Sequence, residues 1–141
     1  VGRIRLVESE RSVSKLTEKA VQKRVRYESV ALSAARQCLR SDVPLIEPLA
    51  RLQDCLGAPL SGVHWALHPE ATEGLGPALR DFHGLECTLW IGPEGGFSPQ
   101  EVSGLASAGA VLLHLGEWVL RTETAATAAL ALLSARVRDN K

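Results

Sequence analysis

The sequence predicts an α/β fold built on a mostly parallel sheet with helices on both faces. Three observations carry this. Apolar runs of strand length alternate with segments of helical periodicity along the chain. The runs over 62–67, 87–91 and 110–115 are nearly continuous rather than alternating, the pattern of strands covered on both faces. Each of these runs also ends in an unusual loop: Leu67-His68-Pro69-Glu70, Gly92 to Phe97, and Leu115 to Thr124.

In order, Arg3 to Glu8 reads as a short strand, with Ile4, Leu6 and Val7 flanked by charge. Residues 8–12 are a polar loop. From about Thr17 to Arg40 the residues Val21, Val25, Leu32, Ala35 and Leu39 recur at helical steps, so a helix is expected. Pro44 and Pro48 then interrupt the chain, leaving Leu45-Ile46 as a short strand. Leu49 to Leu56 fits one or two helical turns ended by Gly57. A strand over 62–67 is followed by a Gly/Pro loop at 74–77. A strand over 87–91 leads to the glycine-rich loop. Ser98-Pro99-Gln100-Glu101 is a helix start, with Ser98 as cap, Pro99 in the first turn and Glu101 closing a capping box. Gly109 is placed to end that helix. A strand over 110–115 follows. Thr122 or Thr124 then opens an Ala/Leu-rich helix to about Arg138.

At 141 residues and 45% hydrophobic content, one domain with a real core is expected. No apolar run approaches the ~18 residues of a membrane span, and the first residues do not read as a secretory leader. No membrane partner and a cytoplasmic location are therefore expected. Cys38, Cys55 and Cys87 have neither metal-ligand nor disulfide spacing, and free thiols in a reducing compartment are expected. Histidines 64, 68, 83 and 114 form no metal motif, so no metal is expected. The net charge is zero but uneven. Residues 1–40 hold ten Lys/Arg against four acids, and the rest hold six against twelve. A basic arm of this kind is either a contact for a polyanion or a solvated helix face.

In open parallel sheets, ligands bind beyond the carboxyl ends of the strands. Three special loops at three such ends point to one shared ligand. Glycines at 92, 95 and 96 let backbone approach it, and the alternative is a tight turn. The loop is no Walker P-loop, because Gly-Lys-Ser/Thr is absent. It is no dinucleotide fingerprint either, because G-x-G-x-x-G is absent. No G-x-S-x-G nucleophile motif is present.

The segments LHPE (67–70), IGPEGGFSPQEV (91–102) and LGEWVLRTETAATAAL (115–130) resemble the bacterial 16S ribosomal RNA (uracil-N3)-methyltransferase family, RsmE type, of the SPOUT superfamily. SERSV (9–13) and AARQCLRSDVP (34–44) match in the expected order, so the resemblance covers nearly the whole chain. GPEGGF followed by LG-x(3)-LRTETA is specific; GPEGG alone is not. The resemblance implies a SPOUT-type fold with a C-terminal trefoil knot and S-adenosylmethionine held by the three loops. It also implies a homodimer with the site near the subunit interface, and methyl transfer to N3 of a uridine in 16S rRNA of the small ribosomal subunit. Residues 1–141 are expected to be the methyltransferase domain without its opening strand and helix and without the PUA-like RNA-binding domain that precedes it in the family. Two other readings stand beside this one: a SPOUT enzyme with a different RNA target, such as a ribose 2′-O position, and a non-catalytic RNA-binding or ribosome-assembly module.

The implied cofactor residues are Leu67, His68, Pro69, Gly92, Pro93, Glu94, Gly95, Gly96, Leu115, Gly116, Val119, Leu120, Thr122, Thr124 and Ala125. Leu67, Leu115, Val119 and Leu120 would form an apolar box around the adenine, or ordinary core. Arg121 is the leading catalytic candidate, since its planar donor fork suits a phosphate or the uracil; a structural arginine there would need a carboxylate partner. Glu94 would orient substrate or ribose, or cap neighbouring N–H groups. Glu123 is either a helix-start acid or a polar group near the substrate. Uracil N3 must lose a proton, and Glu94, Glu123 and Arg121 are the candidates to assist. Lys15, Lys19, Lys23, Arg24 and Arg26 would face RNA phosphates, with Arg36 and Arg40 nearer the site or the dimer.

Overall fold

The computed structural model describes residues 1–12, 19–57, 61–83 and 86–139. Strand β1 (Arg3–Glu8) and helix α1 (Lys19–Gln37) are followed by β2 (Leu45–Arg51) and α2 (Leu52–Leu56). Next come β3 (Val63–Leu67), the two-residue β4 (Glu73–Gly74) and α3 (Leu75–Arg80). Then β5 (Cys87–Ile91), α4 (Pro99–Ser107), β6 (Val111–His114) and α5 (Thr122–Asp139) complete the order. All the strand pairs are parallel. Strands β1 and β2 form one sheet, and the other runs β4-β6-β3-β5.

Helices cover both faces of the four-stranded sheet, as expected. Adjacent residues of β3 show why, because side chains alternate across a strand. Ala66 packs with Trp90, Phe97, Leu105, Leu52, Cys55 and Ala110 on the α2/α4 side. Trp65 packs with Leu75, Leu79, Phe82, Leu113 and Ala129 on the α3/α5 side. The Trp65 and Phe82 rings meet edge-on, 5.3 Å apart. Val7 and Ala50 join the first cluster, so the two-stranded sheet rests on the same core.

Helix α4 has the caps its sequence predicts. Ser98 accepts from Glu101 N–H, and the Glu101 carboxylate accepts from Ser98 N–H at 2.8 Å. At its other end, Ala110 N–H bonds Leu105 C=O and Gly109 N–H bonds Ala106 C=O, with Gly109 at φ +90°. This is a Schellman closure with glycine in the left-handed position.

Three details differ from expectation. Strand β2 runs through Pro48 to Arg51 rather than stopping at Ile46. It is an edge strand, and its pairing with β1 slips where Arg5 faces Glu47 and Val7 faces Ala50, so the missing proline N–H falls at an irregularity. The Gly/Pro loop at 74–77 is instead the end of β4 and the first turn of α3. Pro77 is tolerated there because first-turn N–H groups have no intrahelical partner, and Leu75 and Leu79, one turn apart, are both buried. Third, the apolar stripe of α1 is largely uncovered among the described residues. Val21 is 71% exposed and Leu39 92%, and Ala35 is buried.

Candidate functional site

The register aligns the strand ends that carry the three special loops. Leu67 at the end of β3 lies opposite Ile91 of β5 on one side and Leu113 of β6 on the other. Two direct contacts then tie these exits together, and a third ties the turn after β1 to the glycine-rich loop. His68 N–H bonds Leu113 C=O at 3.0 Å. The Thr122 hydroxyl donates to Gly92 C=O at 3.1 Å. Arg11, from the turn after β1, donates through Nη1 to Gly95 C=O at 2.9 Å.

The glycine-rich loop is a tight turn closed by Gly96 N–H on Pro93 C=O at 2.8 Å, with Gly96 at φ +69°. Buried Phe97 anchors its far end. A side chain at Gly92 would crowd Phe97, its Cβ falling 3.2 Å from Phe97 N. Gly96 and Gly116 are different: both have positive φ, and a Cβ on either would project into open space. The turn geometry and the room beside it thus coexist. A ligand held by backbone groups and by half-buried Leu67 and Leu115 fits this arrangement.

The predicted cofactor residues fall into two sets. Leu67, His68, Gly92, Pro93, Gly96, Leu115 and Thr122 are half-buried at the strand exits, and Ala125 is buried under the start of α5. Pro69, Glu94, Gly95, Gly116 and Thr124 are exposed, as are Val119 at 78% and Leu120 at 37%. Thr122 is used differently from a simple cap, because its hydroxyl reaches the glycine loop. The start of α5 is marked instead by Ala125 N–H on Arg121 C=O at 2.8 Å.

Arg121, Glu94 and Glu123 are all exposed. Among the described residues no carboxylate pairs with Arg121, so the partner a structural arginine would need is missing. No group of three or more His, Cys, Asp or Glu is placed to hold a metal ion among the described residues. Nor is any described helix long and apolar enough to cross a membrane.

Of the basic arm, Lys15 lies outside the described residues, and Lys19 is in α1. Lys23, Arg26 and Arg36 are exposed. Arg24 pairs with Glu28 at 2.9 Å, and Arg40 pairs with Asp42. The Arg40 contact holds the Asp42 carboxyl below its ordinary range. These two cations are therefore partly neutralised within the chain.

Two contacts were not legible in the residue pattern. Arg11 reaches Gly95, and Glu10 N–H bonds the Glu101 carboxylate at 2.8 Å. The SERSV match flags that segment without saying what it touches. A cavity of about 340 Å³ lies beside this contact, lined by Ser9, Glu10, Arg51, Gln53, Gln100 and Glu101 among others, adjacent to the three-loop cluster rather than within it.

Residues 1–134 match the family described as RNA methyltransferase domain. Ribosomal RNA small subunit methyltransferase E of Mycobacterium bovis is 38% identical over 112 residues, covering 74% of this chain and 42% of that protein. The Bacillus subtilis protein of the same name is 33% identical over 132 residues, 88% of this chain and 52% of its own length. A Legionella pneumophila structure with bound cofactor S-adenosylmethionine (SAM) matches with a TM-score of 0.87 at 33% identity, over 96% of this chain and 55% of that one. A Neisseria gonorrhoeae ribosomal RNA small subunit methyltransferase E bound to SAM matches with a TM-score of 0.78 at 28% identity, over 98% and 54%. The chain spans about half the length of the curated relatives it matches. With residues 1–134 matched by that family and a relative 38% identical over 74% of the chain, the chain belongs to the RNA methyltransferase domain family.

Proposed function

We propose that residues 1–141 serve as the SAM-dependent methyltransferase domain of an enzyme that methylates N3 of a uridine in 16S rRNA of the small ribosomal subunit. The observation that carries this is the convergence of three motif-bearing loops at adjacent parallel strand ends, closed by the Thr122–Gly92 hydrogen bond. The named relatives and the SAM-bound neighbours support the cofactor and the substrate class.

On this reading Gly92 to Gly96 and Gly116 present backbone groups to SAM, with Leu67, His68, Pro69 and Leu115 walling the adenine. Val119 and Leu120, exposed in the free chain, close over it. When bound, SAM supplies an electrophilic methyl group on a sulfonium. Methylation forms a bond from uracil N3 to that carbon, breaks the carbon–sulfur bond and releases the N3 proton. Arg121, paired with no carboxylate among the described residues, stabilises the uracil anion as that proton leaves. Glu94 and Glu123 are the carboxylates available to accept the proton or orient the base. The protein's share of the catalysis is positioning and electrostatics.

The same reading includes a C-terminal trefoil knot, a cytoplasmic location and a homodimer. Trp118 at 81% and Val119 at 78% exposed, next to the site, are apolar groups that a partner subunit would cover. The exposed Lys23, Arg26 and Arg36 would meet RNA phosphates.

Titration of the chain with SAM, followed by methyl incorporation into undermethylated small subunits, tests the proposal. Saturable binding and methylated uridine N3 are expected. Methyl incorporation at a ribose hydroxyl, or none with SAM bound, would overturn the target or the activity.

A further inference from the structure

The turn after β1 contacts the glycine-rich loop at Gly95 and the helix that follows the loop at Glu101, and the proposed chemistry uses neither contact. The turn is closed on itself, with Ser12 N–H and its hydroxyl both directed to Ser9 C=O at 3.2 and 2.9 Å. From it, Glu10 N–H reaches one carboxylate oxygen of Glu101 at 2.8 Å, across 91 residues of sequence. The other oxygen takes Ser98 N–H at 2.8 Å. Glu101 is 8% exposed, so its charge is compensated by two backbone donors and by the N-terminus of α4. The next residue, Arg11, lays its stem on Gly95, where an added Cβ would sit 3.2 Å from Arg11 Cβ, and bonds Gly95 C=O.

The loop from Gly92 to Phe97 therefore carries an external tether in its middle, at Gly95, and just past its end the Ser98–Glu101 cap of α4 is itself held to the same turn through Glu10 N–H. Gly-rich backbone has unusual freedom to lose, and ordering it on ligand binding costs affinity. A tether that orders it beforehand removes that cost.

We propose that Arg11 and Glu101 are positioning residues that pre-organise the glycine-rich loop for the methyl donor, acting through Gly95 and Ser98 without touching it. This rests on the reading that the loop holds SAM. The roles separate by kinetics: losing the tether raises KM for SAM and leaves kcat at saturating SAM unchanged. A residue touching the reacting atoms would lower kcat.

The test compares Arg11→Ala, Arg11→Lys and Glu101→Gln with the parent chain by hydrogen exchange at Gly96 N–H and by SAM titration. Arg11 is exposed, so its alanine variant keeps the fold if Glu101→Gln does not. For Arg11→Ala, Gly96 exchange and the Kd for SAM should each rise about fivefold, the equivalent of one hydrogen bond. Arg11→Lys should recover most of both. Unchanged Gly96 exchange overturns the tether. Faster exchange with unchanged Kd overturns its role in binding. A parent chain that binds no SAM, with Gly96 exchange still responding to Arg11→Ala, overturns the proposed function and reduces the tether to a structural contact.

Discussion

The Thr122 hydroxyl donates to Gly92 C=O across thirty residues of sequence, joining the start of α5 to the glycine-rich loop. A threonine at a helix start ordinarily caps its own N–H groups. Here the hydroxyl leaves the helix and fastens the third loop to the second. Thr122→Val keeps the shape and removes the donor. Loss of a single hydrogen bond of this kind is worth about 1 kcal/mol. Titration should show SAM bound several-fold more weakly, and thermal unfolding should place the melting point within a few degrees of the parent. Undiminished SAM affinity would mean that the two loops are held by other contacts.

Arg121 has no acidic partner among the described residues, so truncating it leaves no buried carboxylate unpaired. Arg121→Ala should retain the circular-dichroism spectrum and melting point while turnover falls roughly 10²–10³-fold, the scale of removing one electrostatic stabiliser. Turnover equal to the parent's would remove Arg121 from the mechanism.

Leu39 ends α1 in the left-handed region at φ 56°, where Arg40 N–H bonds Ala35 C=O and Leu39 N–H bonds Arg36 C=O. This is the closure glycine makes at Gly109, achieved here by a residue with a Cβ. The side chain is 92% exposed, so it contributes no packing to offset the strain. Leu39→Gly should raise unfolding free energy by about 1 kcal/mol in urea denaturation. A destabilised variant would show that Leu39 is covered in solution.

Glu47 bridges Arg3, at 3.1 Å, and Arg5 across the β1–β2 pair. Its carboxyl is held below the ordinary value chiefly by the hydrogen bond from Arg5, against the opposing effect of burial. A lowered folded-state pKa contributes stability above the unfolded carboxylate value near 4.5, and that stability is lost as pH falls through the folded value. Both arginines are exposed, so the pair is worth under about 1 kcal/mol. Glu47→Gln should be less stable than the parent at pH 7, with the gap closing in acid. A gap independent of pH would assign the effect to packing.

Burial pushes the Cys87 thiol up to about 11. Cys38 is exposed and Cys55 buried. At pH 8 a thiol reagent should label Cys38 first, with Cys55 and Cys87 reacting only on unfolding. Fast native labelling of Cys87 would show that the β5 edge opens.

Much of the fold was legible in the residues. β1, β5 and the caps of α4 follow from short-range patterns: an apolar run, a Ser-Pro-x-Glu start, a glycine one step past the end. Such signals act over a few residues, so a sequence carries them without help. Pro48 and the 74–77 segment misled because proline and glycine forbid some neighbours without specifying which ladder or first turn accommodates them.

The sequence by itself determined the strand–helix alternation, the glycine-rich loop and the identity of the three motif segments. Tertiary structure alone decided that the three exits stand abreast, that Thr122 reaches Gly92, and that Arg11 and Glu10 reach Gly95 and Glu101 from a turn more than eighty residues away. It also decided that the α1 stripe is largely uncovered among the described residues. The physical reason is range: caps and periodicity are local energies, whereas sheet register and packing select which distant residues share a hydrogen bond.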